Sequence, residues 1–135
     1  MSLFFYISIM TKKPILHWYD PVSYFQMRMK QPLWWSEDFQ SEYDWWLYYF
    51  SSKNNKELFD KNPKNYAPAY RWYCATALSE WKLVPANPKN YMIYNGILYV
   101  FYSNRFGVNT FPQWNRNRDG RIEQANYEWE QKKGK

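Results

Sequence analysis

The stretch YAPAYRWYCATA, residues 66–77, holds the single cysteine of the chain, Cys74, at what reads as the opening of a buried helix. Tyr70, Cys74 and Leu78 recur at i, i+4 and i+8, with Tyr73 and Ala77 beside them, which is one face of a helix over 70–80. Pro63 and Pro68 punctuate the approach, and Pro85 and Pro88 mark the exit. The segment therefore reads as the centre of the fold, and the rest of the chain can be placed around it.

Downstream, Tyr91–Tyr94 and Ile97–Tyr102 flank Asn95-Gly96, the strongest short-range hairpin signal in the chain. Upstream, the aromatic-rich runs Phe39–Tyr43 and Leu47–Phe50 flank Asp44-Trp45 and read as a second hairpin. Its turn is unusual, because a two-residue hairpin turn favours Asp-Gly or Asn-Gly. Ser51 or Ser52 then caps a helix that carries Leu58 and Phe59 inward and stops near Asn62-Pro63. Asp20-Pro21 opens a short helix through Phe25, with Asp20 as N-cap. The segment 106–114 reads as partly helical and broken at Pro112, and a last helix over 121–131 turns Ile122, Ala125 and Trp129 to one side. No internal repeat is visible. The expected fold is one α+β domain: a small antiparallel sheet or two hairpins packed by three to four helices.

The 135 residues suffice for one domain with a real core. That core is built from rings, since 24% of the residues are aromatic. The net charge is +6, but Lys and Arg are spread along the chain, which suits a solvated basic surface better than a nucleic-acid footprint. One cysteine excludes an internal disulfide and a CxxC-type zinc site. The apolar opening MSLFFYISIM is too short to span a bilayer, and its lysines follow the run where a secretory signal has them before it. A start at Met10 implies a cytoplasmic protein, and a clipped signal an exported one. Residues 1–14 are thus a leader, 15–131 the domain and 132–135 a basic tail.

Several segments, in order, resemble the YHS domain family in a longer bacterial form. Asp20-Pro21-Val22-Ser23-Tyr24-Phe25 is similar to its DPVAYF opening. Tyr48 to Ser52 with Asn55 and Leu58-Phe59 resembles its Y-x-F-S-S…N…L-F segment. Asn62 to Pro68 resembles D-P-x-x-Y-A-P, and Tyr73-Cys74-Ala75 resembles the end of G-G-Y-C-A. The stretch Asn87–Tyr91, the strand from Gly96, Trp114 and Ala125…Trp129 extend the likeness over about residues 15 to 130. Short metal-associated members carry cysteines in DPVC and F-C-S-x-x-C. The resemblance places these at Ser23, Ser51 and Asn55, none of them a soft ligand. It also implies glycine at Trp18, Trp35, Trp45, Trp72 and Trp81, five of the nine tryptophans, as if a codon read as glycine in the source were translated here as tryptophan. Arg71 also stands at a family glycine, and no such codon explains it.

What chemistry remains centres on Cys74 and His17, the only cysteine and the only histidine. Such a pair can hold a copper or zinc ion with a carboxylate or water, or serve as nucleophile and base. Cys74 can equally be a small core residue, with His17 on the surface. Tyr19 and Asp20 beside His17, and Tyr70 and Tyr73 beside Cys74, are the candidate ligand-binding residues. Asp20 and Tyr24 also read as capping and packing residues. Asn115 to Asn126 imitates an EF-hand loop, yet Asn126 stands where the bidentate Glu belongs, so a loop and helix cap is the expected reading. There is no HExxH, P-loop, dinucleotide fingerprint or GxSxG. The expected function is a non-enzymatic protein that binds a metal ion or small ligand near Cys74. The alternative is a basic, aromatic-rich nucleic-acid- or protein-binding module.

Overall fold

The computed structural model describes residues 16, 19–26, 32–34 and 36–133. The leader over 1–14, His17, Trp18 and Trp35 lie outside them. The class is α+β, and the chain forms two compact units, Met1–Lys64 and Asn65–Lys135.

In the first unit, Asp20 caps a 3₁₀ helix over Pro21–Phe25, with Pro21 in its first turn. A hairpin follows, β1 (Ser36–Tyr43) antiparallel to β2 (Trp46–Phe50). Asp44 and Trp45 form its two-residue turn, both at positive φ (51° and 72°), the left-handed pair that a right-twisted hairpin needs. Ser52 caps α1 (Lys53–Lys61), its hydroxyl accepting from Asn55 N–H at 3.1 Å. Phe59 of α1 is buried against the rings of Tyr48 (4.9 Å), Phe50 (5.0 Å) and Tyr43 (6.0 Å), so the unit's core is aromatic as the composition implies. The chain leaves this unit through the single turn α2 (Pro63–Tyr66).

In the second unit, Cys74 caps α3 (Ala75–Ser79). Then come β3 (Asn87–Tyr94) and β4 (Ile97–Phe101), antiparallel around Asn95-Gly96 at φ 53° and 76°. Leu98, Tyr99, Val100 and Phe101 of β4 are all buried. The two closing helices are α4 (Phe111–Asn115) and α5 (Arg118–Lys132). Trp114 of α4 is fully buried among Phe101 (5.0 Å), Tyr99 (5.1 Å), Tyr94 (6.0 Å) and Phe111 (6.3 Å). Helix α5 packs on α3, with Ala125 fully buried, and Arg121 bonds Ser79 Oγ (3.0 Å) and Glu80 Oε1 (2.9 Å) at the end of α3.

Two expectations are corrected. The helix expected over 70–80 is confined to Ala75–Ser79. Arg71 takes φ 56°, and Cys74 has extended φ/ψ with its N–H given to Val84 O (2.8 Å), so the chain before Ala75 is a turn and a bridge, not a helix. Pro112 does not interrupt a helix; it sits in the first turn of α4, where a missing N–H costs nothing. The described residues hold five α-helices and two small antiparallel hairpins, in keeping with the expected α+β class.

The units also share a plan that the sequence hides. Each has a five-residue helix, capped by Asp20 in one and Cys74 in the other. The cap's N–H bonds a later carbonyl (Asp20 to Leu33 O, 3.0 Å; Cys74 to Val84 O, 2.8 Å), and the residue before it makes an isolated bridge (Tyr19 with Trp34, Tyr73 with Pro85). Each then has an eight-residue strand, a two-residue left-handed turn and a five-residue strand. Both ladders break register at the same place, between Ser36 and Gln40 and between Asn87 and Tyr91. The two units therefore repeat the same local plan from the cap through the hairpin.

Candidate functional site

Asp20 is fully buried in the first unit. Its Oδ1 accepts from the N–H groups of Val22 (2.8 Å) and Ser23 (3.3 Å). Its Oδ2 accepts from Ser51 N–H (2.8 Å), Ser51 Oγ–H (2.7 Å) and Asn55 Nδ2–H (2.7 Å). A carboxylate has about four acceptor positions, and these five donors occupy them without any cation among them. Hydrogen bonds to a carboxylate are of the stronger class, and together they offset the cost of burying it.

The donors are themselves fixed. Ser23 Oγ donates to Asp20 O (2.7 Å) and accepts Leu33 N–H (2.8 Å). Gln26 Nε2 donates to Asn55 Oδ1 (2.8 Å), and Asn55 Nδ2 also lies 3.2 Å from Gln26 Oε1. Ser23, Ser51 and Asn55, the positions where the family resemblance places metal-binding cysteines, are thus gathered on Asp20. What they form is a closed hydrogen-bond network, with hydroxyls and an amide in place of thiolates. Among the described residues no group of three or more His, Cys, Asp or Glu could hold a metal ion.

In the second unit the same cap position is Cys74, and it too is fully buried. Its Sγ accepts Ala77 N–H at 3.4 Å and lies 3.3 Å from Thr110 Oγ1. The Thr110 hydroxyl also donates to Tyr102 O (2.9 Å). Cys74 is thereby an enclosed helix cap. His17, its expected partner, lies outside the described residues.

The remaining candidates are placed as follows. Tyr19 sets its ring edge-on to Trp34 at 5.1 Å. Tyr70 is buried, donates to Asn126 Oδ1 (2.7 Å) and packs on Tyr99 and Trp129. Tyr73 lies against Trp72 (4.8 Å) and Trp129 (6.2 Å). Tyr70 and Tyr73 therefore meet at Trp129. Tyr24 is a buried core residue. The EF-hand imitation is a helix start: Asn117 caps α5 and accepts from Gly120 N–H (3.3 Å), while Asp119 accepts from Tyr94 Oη (2.9 Å). Gln26, Asn126 and Thr110 carry no sequence signal for their roles, because each meets its partner only through the fold.

Burial pushes the Tyr70 phenol well above its ordinary value near 10, and Tyr99 adds to the effect. A folded-state value above the unfolded one means that full stability is present below about pH 10 and is lost as pH rises further. Tyr70→Phe should cost about 1 kcal/mol at pH 7 through the lost bond to Asn126. It should also flatten the fall in stability above pH 10, which otherwise approaches about 1.4 kcal/mol per pH unit from this group. Urea unfolding at pH 8 and pH 11 measures both.

Compared with known families, residues 31–70 match the family model of the YHS domain. The match takes in the first hairpin, α1 and α2, with Ser51 and Asn55 of the network; Asp20 and Ser23 precede it. No curated protein and no solved structure matches the chain.

Proposed function

The chain is a YHS domain-containing protein, and from that premise we propose that it is a non-enzymatic binding module whose signature positions serve the fold in place of a thiolate-bound metal. The observation that carries this reading is the saturation of Asp20: both carboxylate oxygens are filled by neutral donors from Val22, Ser23, Ser51 and Asn55. A catalytic acid or base needs an oxygen within reach of its substrate, and a metal ligand needs a free lone pair. The enclosed thiol of Cys74 supports the same reading from the second unit.

The test is metal analysis of the purified full chain after growth with added copper and zinc. The expected result is no stoichiometric metal. Stoichiometric copper or zinc that disappears in both Cys74→Ser and His17→Ala would replace this reading with a Cys–His metal site. Metal that disappears in Ser23→Ala or Ser51→Ala would overturn the structural role of the Asp20 network.

A further inference from the structure

Seven of the nine tryptophans lie among the described residues, and two of them, Trp45 and Trp81, occupy the left-handed region at φ 72° and 67°. A side chain with a Cβ is strained there, and Asn or Asp tolerate it best after glycine. Both tryptophans sit in turns whose form calls for glycine at that place.

Trp45 is the second residue of a two-residue hairpin turn with positive φ at both positions. The repeat supplies its counterpart within the same chain. Asp44-Trp45 (51°, 72°) corresponds to Asn95-Gly96 (53°, 76°), between strands of the same lengths and register. Trp81 follows the C-cap of α3. Its N–H bonds Leu78 O (3.0 Å) and Lys82 N–H bonds Ala77 O (2.9 Å), the paired bonds of a Schellman motif, whose left-handed residue is most often glycine. Neither ring compensates the strain by packing, since Trp45 is 83% exposed and Trp81 65%.

We propose that the natural protein has glycine at positions 45 and 81, decoded from a codon that the present sequence renders as tryptophan. Trp72 takes no positive φ, so no such strain arises there. Arg71 shares the strain at φ 56°, and a reassigned tryptophan codon does not reach it. The proposal changes the surface. Trp45 and Trp81 are among the most exposed rings of the chain, so their removal takes two stacking platforms from any nucleic-acid-binding reading.

Peptide mass spectrometry of the protein isolated from its own cells, read against the gene, tests this directly. The expected result is glycine at both positions, each encoded by UGA. Tryptophan in the peptide or UGG in the gene at either position overturns it. A second measurement stands on the recombinant chain. Trp45→Gly and Trp81→Gly should each raise the folded-to-unfolded ratio about fivefold or more over Trp45→Ala and Trp81→Ala, because alanine removes the ring but keeps the Cβ. Equal stability of the glycine and alanine variants would contradict the backbone argument.

Discussion

Asp20→Asn should destabilise the protein by about 3 kcal/mol or more, a large share of the 5–15 kcal/mol that holds a domain together. An amide keeps one acceptor oxygen and puts an NH₂ group in place of the other. Whichever way it turns, that NH₂ faces donors: Val22 and Ser23 N–H on one side, or Ser51 N–H, Ser51 Oγ–H and Asn55 Nδ2–H on the other. Buried donors that lose their acceptor cost about 1–3 kcal/mol each, and the charge that strengthened the others is gone as well. Ser51→Ala should be milder, about 1 kcal/mol, since the backbone N–H of residue 51 keeps its bond to Oδ2. Urea unfolding midpoints rank the three proteins. Asp20→Asn equal to or milder than Ser51→Ala would remove Asp20 from the centre of the network.

Trp114→Ala should cost about 3–5 kcal/mol, the range for emptying a large aromatic site in a core. The ring is fully buried between β4, α4 and Tyr94, so no solvent-side collapse can fill the space. Trp114→Phe separates two opposed effects. It loses volume, but it also removes Nε1–H, which is buried with no hydrogen-bond partner among the described residues. A buried donor without a partner carries a penalty of about 1–3 kcal/mol, so the phenylalanine variant should lose clearly less than the alanine one, about 1 kcal/mol. Thermal unfolding of the two variants, followed by near-UV circular dichroism, checks the order.

The local parts of this fold were legible in the sequence and the long-range parts were not. Asn95-Gly96 identified the second hairpin because its turn chemistry is contained in two residues. Ser52, Asp20 and Pro21 marked their helix starts for the same reason. The periodicity of Tyr70, Cys74 and Leu78 misled, since a left-handed Arg71 interrupts the helix that the spacing implies. The pentapeptide NPKNY shows how little local sequence decides: residues 62–66 run through α2, whereas residues 87–91 open β3. The repeat was hidden because its halves keep backbone geometry and change side chains, Asp20 for Cys74 and Trp45 for Gly96. The Asp20 network was half visible. The family's cysteine positions pointed to Ser23, Ser51 and Asn55, but only the fold shows that they close on a carboxylate.

That the hydrogen bonds to Asp20 hold the first unit together without a bound metal is checked by unfolding the full chain in urea with and without a strong chelator. The expected result is the same midpoint in both, and a midpoint lowered by Asp20→Asn under either condition. A midpoint that falls with chelator and recovers on adding copper or zinc would contradict it.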